Sequence, residues 1–308
     1  KAAYEAIKKA SDTPEASNLL RPGVDSYNQI GYVAEDTSNL WDGGVSTSLE
    51  YYISDWNIAQ LAKALGQKRD YEHYYKKSMG YTNLLDPATG MLRPRFADGT
   101  WLSPFNPEAG KNFEAVIGYV EGNAWQYRFY VPHDIKGLIK RLGGKQKFSR
   151  ELDLLFSTDN FDMANEPDIT YPYLYNYVAG QEWKSQRKVR QLIDQYYQNA
   201  PGGIPGNDDT GALSTWLTFS MLGIYPVCPG DMDYAVVSPY FEEVTIQLND
   251  QYYDGKQLTI KVNQTSPDAI YIDKFRLNDK KFSSYFINHS ELVKGGKLIF
   301  ELTKQPRK

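Results

Sequence analysis

The 308-residue chain carries 34 Lys and Arg against 38 Asp and Glu, a net charge of −4, and one cysteine. Without a basic stripe or a block of like charge, nucleic acid and anionic membrane surfaces are poor candidates as partners, and a lone cysteine excludes an internal disulfide or a thiolate metal cluster. No apolar run approaches the roughly 18 residues that a membrane span needs, so the expectation is a soluble globular protein with a sizeable core.

A helix is predicted at 1 to 11. The chain opens at Lys1 inside that pattern, which reads as a piece of a longer or processed protein. The Pro/Gly-rich stretch at 12 to 43 reads as a long loop. From Val45 to Gly66 the residues Leu49, Ile53, Trp56, Leu61 and Leu65 recur near one helical face, with Gly66 as the stop. A helix at 68 to 85 and a second long loop at 86 to 112 follow, then helices at 121 to 142, 147 to 157, 171 to 179, 184 to 199 and 210 to 223. Beyond YPVCPGDMDYAVVSP the period changes to two. VTIQL, LTIKV, AIYIDKFRL and KLIFEL read as strands separated by Asn, Asp and Gly turns. The boundaries drawn are a helical segment at 1–234 and a small all-β domain at 235–308. A succession of paired helices fits a stacked ring. Between Val227 and Pro229, Cys228 reads as small apolar filler.

Three stretches concentrate polar chemistry. EGNAWQYRFYVPHD, from Glu121, packs an acid, two amides, a tryptophan and two tyrosines together. Glu121 is either a first-turn carboxylate favoured by the helix dipole or a general acid whose carboxyl, held among Trp125 and Tyr127, is desolvated. In FDMANEPDITYPYLYNY, Pro167 forces Glu166 towards extended backbone. Asn165 and Glu166 there either begin a helix or offer oxygen ligands to a hard cation. In PGGIPGNDDTGALSTW, Asp209 or Thr210 is a candidate N-cap, but two adjacent acids exceed what a cap needs and suit a cation or an attacking water. The 25 Tyr, 13 Phe and 6 Trp are consistent with both a large core and sugar stacking.

Together these stretches resemble the motifs of the calcium-dependent exo-α-mannosidases of glycoside hydrolase family 92. EGNAWQY before VPHD, NEP before PYLYNY, and GNDDTG before a tryptophan-bearing helix and GIYPV occur in the family's order. VSTSLEYYISDWNIAQLAKALG, GMLRPRFADGTWLSPFNP and AGQEWKSQ are similar to its framework. The resemblance implies a mainly α fold, an incomplete (α/α)6 helical barrel followed by a small all-β domain. It implies that Glu121 is the catalytic acid and Asp209 the base, supported by Asn207 or Asp208. Gln126, Asn165 and Glu166 would hold Ca2+, and Asn123, Trp125, Asp168 and Arg95 would contact substrate. The implied reaction is inverting hydrolysis of mannose-terminated glycans, with α-1,2 as the family's default linkage, by a periplasmic or secreted protein.

The sequence departs from the family in two ways. Asp168, Ile169 and Thr170 stand where many members have histidines after NEP. A full-length member also begins with a β-sandwich domain and further helices, so a partner chain, a dimer or the rest of a longer protein is expected to cover the open ring. A carbohydrate-binding remnant without turnover is the alternative. A polysaccharide lyase fits poorly, because acid-rich motifs repel a uronic acid.

Overall fold

The computed structural model describes residues 1–37, 43–111 and 114–306. Its helices are α1 (Ala2–Asp12), α2 (Val24–Ile30), α3 (Gly44–Ala64), α4 (Lys68–Ser78), α5 (Ala124–Tyr127), α6 (Ile135–Arg141), α7 (Lys145–Ser157), α8 (Glu182–Tyr196) and α9 (Ala212–Leu222). Strands β1 (Ile224–Tyr225), β2 (Asp233–Val236), β3 (Glu243–Gln247), β4 (Gln257–Gln264), β5 (Tyr271–Leu277), β6 (Lys280–Lys281) and β7 (Phe286–Asn288) follow, then α10 (His289–Leu292) and β8 (Gly296–Thr303). A mainly helical chain therefore gives way to a small sheet region at Gly223. Spatially the chain forms two compact units, one of residues 1–143 with 153–168, the other of residues 144–152 with 169–308.

The first unit is organised on α3, most of whose residues are buried. Leu49, Tyr52, Ile58, Ala59 and Ala62 are all buried, so this is a core helix and not a surface one. Its C-terminal end is set by Gly66, whose φ of +70° is left-handed and ends the helical course two residues after Ala64. Asp55 of α3 is fully buried and collects Ser11 Oγ at 2.9 Å, Tyr27 Oη at 2.8 Å, Arg21 Nη1 at 3.2 Å and Lys77 Nζ at 3.4 Å. One carboxylate thus ties together α1, α2, α3 and α4.

Three expectations for this unit are corrected. The stretch read as loop at 12 to 43 contains α2, a seven-residue helix bounded by left-handed Gly23 and Gly31; residues 38–42 of it lie outside the described residues. The helix expected at 121 to 142 is broken into α5, a 3-10 turn at Pro132–Asp134, and α6. Pro132 has no N–H to continue α5, and the Asp134 carboxylate instead accepts the Gly137 N–H at 3.0 Å and starts α6 afresh. The helix expected at 68 to 85 ends as α at Ser78 and continues as a 3-10 turn through Met79–Asn83.

In the second unit, the helix expected at 171 to 179 is a 3-10 segment, Asp168–Tyr177, with Pro172 inside it. The four strands read from the sequence, joined by the two-residue β6, form a five-stranded sheet in the order β3-β4-β8-β5-β6, with β4 and β8 parallel. Alternation puts Ile260, Val262, Phe275, Leu298 and Phe300 into one core. A second sheet, β1-β2-β7, carries strands too short for periodicity to reveal. The Asn176 amide donates to the Val236 carbonyl at 2.9 Å, and Gln186 Oε1 accepts the Ile272 N–H at 2.9 Å, so the helical part of this unit is pinned to both sheets. Among the described residues, no helix is long and apolar enough to cross a membrane.

Candidate functional site

Of the two readings open for Glu121, the first-turn one fails. Helix α5 begins at Ala124, and its N-cap is Asn123, whose Oδ1 accepts from Trp125 N at 2.9 Å and Gln126 N at 3.1 Å. Gln126 Oε1 returns the favour to Asn123 N at 3.0 Å, completing a capping box. Glu121 lies before this box on left-handed backbone, φ +51°. Its side chain is exposed, and the aromatic box expected around it is not formed by its neighbours. Tyr127 is buried with its hydroxyl on the Val120 carbonyl at 2.8 Å, and Trp125 lies against the Arg128 guanidinium, 5.0 Å from ring centre.

The NEP segment lies against this loop. Asn165, 3% exposed, donates from Nδ2 to the Glu121 carbonyl at 2.7 Å, across 44 residues of sequence. Gly122 is wedged between the two segments. A Cβ there would stand 2.8 Å from Gln126 Oε1 and 3.2 Å from Asn165 Nδ2. Glu166 is half-buried beside Asn165. Asp168 is fully buried, with Oδ2 accepting the Asp162 N–H at 2.7 Å and Oδ1 sealed from solvent without a hydrogen-bond partner. Burial pushes its carboxyl well above the usual carboxylate range, opposed by the Asp162 N–H and the Gln126 side chain. Glu121, Asn123, Gln126 and Asn165 are therefore brought together by the hydrogen bonds of this unit, with Asp168 linked to them through Gln126.

Whether a hard cation suits these residues can be judged from their chemistry. The described residues contain no group of three or more His, Cys, Asp or Glu suited to a metal. The side chains present are amides and single carboxylates, an oxygen set that suits calcium and not zinc or iron. Donation from Asn165 Nδ2 fixes that amide's orientation and leaves its Oδ1 as the acceptor end. The residues fit such an ion.

The NDD turn is built in the second unit. Its N-cap residue is Gly211, not Asp209 or Thr210, and having no side chain it makes no cap bond of its own. Asp208 is committed locally: Oδ1 accepts Ser214 N at 2.8 Å and Oδ2 the Ser214 hydroxyl at 2.6 Å. The Ser214 hydroxyl and N–H hold its carboxyl below the usual range. Asp209 is left exposed on left-handed backbone at φ +35°, followed by Thr210 at +59°, a rare conformation for a β-branched residue. Asn207 is exposed in the same turn.

Arg95 has a framework role in this structure. Nε donates to the Gly99 carbonyl and Nη1 to the Asn83 carbonyl, both at 2.9 Å, and the guanidinium stacks 4.7 Å from the Trp101 ring centre. Residues that sequence reasoning passed over include Ser46, whose Oγ accepts Val120 N at 2.9 Å and so anchors the Glu121 loop to the start of α3. Glu35 was also passed over. It is half-buried against the Gly44 and Val45 N–H groups, and desolvation pushes its carboxyl up to about 7. No local pattern marks either; their partners lie far along the chain or in backbone.

Comparison with known proteins adds the following. The family model described as the glycosyl hydrolase family 92 catalytic domain matches residues 1–304. An uncharacterized secreted glycosidase of Arthroderma benhamiae is 31% identical over 331 residues, covering 98% of this chain and 42% of that protein. The family 92 α-mannosidase BT3965 of Bacteroides thetaiotaomicron, solved with mannoimidazole, superposes with a TM-score of 0.89 at 32% identity over 99% of this chain and 41% of that one. The inverting mannosidase BT2199 of the same organism does so at 0.88 and 30% identity, over 99% of this chain and 43% of that one. The chain thus spans less than half the length of these relatives.

Proposed function

From the membership of this chain in glycoside hydrolase family 92, to which it belongs, we propose that it supplies the catalytic segment of an inverting, calcium-dependent exo-α-mannosidase acting on mannose-terminated glycans. The reading extends to an α-1,2 preference, to a secreted or periplasmic protein, and to helices of the 1–234 segment forming part of an (α/α)6 ring that the rest of a longer protein or a partner chain completes. The 235–308 segment is its small β domain. The similarity to an α-mannosidase solved with mannoimidazole and to an inverting mannosidase supports the substrate and the stereochemistry. The relative described as secreted supports the location.

One observation carries the site assignment: the hydrogen bond from Asn165 to the Glu121 carbonyl joins the EGN and NEP motifs. In this reading Glu121 is the general acid, donating its proton to the glycosidic oxygen as the aglycone leaves. Asp209, exposed while Asp208 is committed to Ser214, takes the proton of the attacking water. Asn207 supports that turn and Trp125 contributes to the sugar-binding wall; Asn123 and Asp168, expected as substrate contacts, are 1% and 0% exposed and stand behind that wall. Gln126, Asn165 and Glu166 hold calcium, which when bound supplies electrostatic attraction to two vicinal hydroxyls of mannose. An inverting pair of carboxyls stands roughly 6.5–9.5 Å apart to admit the water.

The test is release of mannose from α-1,2-mannobiose by the complete protein, with and without a chelator, followed by proton NMR of the first product. The β-anomer must appear first, and chelation must abolish release. Product of retained configuration, or turnover indifferent to the chelator, overturns the reading. The exposure of Glu121 within its unit favours one alternative, a sugar-binding remnant; mannose binding without hydrolysis by the complete protein would establish it.

A further inference from the structure

Glu121 adopts a backbone conformation that an L-residue with a side chain adopts rarely, φ +51°, so its surroundings must hold it there. Three restraints act on the flanking residues. Ser46 Oγ accepts the Val120 N–H, Tyr127 Oη donates to the Val120 carbonyl, and Gln126 Oε1 accepts the Asn123 N–H, at 2.9, 2.8 and 3.0 Å. All three leave the Glu121–Gly122 peptide plane free to rotate. Asn165 acts on that plane directly, through its 2.7 Å bond to the Glu121 carbonyl. Asn165 is itself immobilised: it is 3% exposed, its N–H donates to the Asp162 carbonyl and its carbonyl accepts from Asp168 N–H. Gly122, which has no room for a side chain against the Asn165 amide, lets the two backbones approach.

We propose that Asn165 is the positioning residue of the general acid: its Nδ2–H fixes the plane of the Glu121 peptide and thereby the direction in which the Glu121 carboxyl is aimed. The proposal rests on the reading of Glu121 as the acid. It gives the two ends of one amide different tasks. The oxygen would be left to the cation, and the nitrogen holds the acid's backbone. A glutamate on unrestrained backbone would aim its proton over a wide arc, and a misplacement of about 1 Å costs on the order of 100-fold in rate.

Asn165→Asp separates the two tasks, because a carboxylate keeps oxygens for calcium but cannot donate to the Glu121 carbonyl. Asn165→Ala removes both. In the complete protein, Asn165→Asp is expected to bind calcium by titration calorimetry about as tightly as the wild type, to lose on the order of 100-fold in kcat with KM within about 3-fold, and to gain nothing from added calcium. Asn165→Ala is expected to lose calcium binding as well. Independently of activity, the Glu121 backbone resonances in NMR of a selectively labelled sample should move out of the left-handed range in Asn165→Asp. In the wild type, one Asn165 side-chain amide proton should exchange slowly, a measurement that needs no variant.

Unchanged Glu121 resonances together with unchanged kcat in Asn165→Asp overturn the proposal, as does fast exchange of both Asn165 amide protons in the wild type. Activity restored to Asn165→Asp by excess calcium also overturns it, because the loss was then one of metal. Absence of α-mannoside hydrolysis by the complete wild-type protein sinks the reading of Glu121 as an acid. The exchange and resonance measurements still decide whether Asn165 sets the Glu121 peptide.

Discussion

Arg21 Nη1 lies 3.2 Å from Asp55 Oδ1, and the Asp55 side chain has no solvent exposure at all. Lys77 Nζ approaches the other carboxylate oxygen at 3.4 Å, and Ser11 and Tyr27 complete the set of donors. Taking a carboxylate out of water is costly, and only this full complement of cations and hydroxyls offsets it. Asp55→Ala leaves the Arg21 guanidinium without this counter-ion and Lys77 with only Asp12, at 3.5 Å, and should lower unfolding stability by about 3–5 kcal/mol. Asp55→Asn should cost less, because the amide still accepts from Ser11 or Tyr27. Urea denaturation of both variants checks the order; equal losses would mean that charge plays no part in the network.

Much of this frame was legible in advance, and what was not has physical causes. The existence of α3 was readable from its length and apolar content, but its face was not: of the residues read on it, Leu49 and Ile53 are buried while Leu61 and Leu65 are exposed. Helix α2 was hidden because seven residues between two glycines present too few turns to show a period. The Asp55 network was invisible because its partners, from Ser11 to Lys77, are united only by packing. At the site, the EGN and NEP motifs stood out as clusters of amides and acids. Their adjacency followed only from the family resemblance, which put Gln126, Asn165 and Glu166 on one ion; a hydrogen bond across 44 residues leaves no local trace. Nor could spacing distinguish Asp208 from Asp209; the Ser214 hydroxyl does so, by occupying one of them.

That division of labour between the two aspartates is open to test. Asp209→Asn should reduce kcat by at least about 100-fold while leaving the melting temperature nearly unchanged, since the side chain is exposed. Asp208→Asn should weaken the start of α9, where Oδ1 and Oδ2 hold Ser214, and lower the melting temperature by a few degrees with a smaller loss of rate. The reverse pattern in kinetics and calorimetry would reassign the base to Asp208.

Gly122 offers a steric test of the contact between the two motifs. Alanine there would bring its Cβ to 2.8 Å from Gln126 Oε1, the atom that accepts the Asn123 N–H in the capping box. Gln126 must retreat, and the loss of its half of the box should cost about 1 kcal/mol. Because Gln126 is also a proposed calcium ligand, Gly122→Ala should weaken calcium binding in titration calorimetry. A variant with wild-type affinity would remove Gln126 from the ligand set.

Two desolvated groups give the first unit opposing responses to pH, and variants are needed to see either. His133, buried with Nε2 2.8 Å from the Ser78 carbonyl, has its pKa pushed down to about 4 by desolvation. The unfolded chain takes up this proton near pH 6.5 and the folded one only near 4, so the contribution of His133 is lost as pH falls between those values. Glu35 behaves in the opposite sense. Burial pushes its carboxyl up to about 7 from an ordinary value of 4.5, so the folded protein keeps a proton that the unfolded chain releases. Its contribution is complete below about 4.5 and is lost as pH rises through about 7. Each amounts to at most about 3 kcal/mol, and between pH 4.5 and 6.5 the two slopes nearly cancel. Glu35→Gln, neutral at every pH, removes one slope: its stability relative to wild type should rise by up to about 3 kcal/mol between pH 4.5 and pH 8. His133→Gln removes the other and should gain as pH falls from 7 to 4.5. Urea midpoints at these pH values measure both, and a constant difference between Glu35→Gln and wild type across the range would show that Glu35 is ionised in the folded protein.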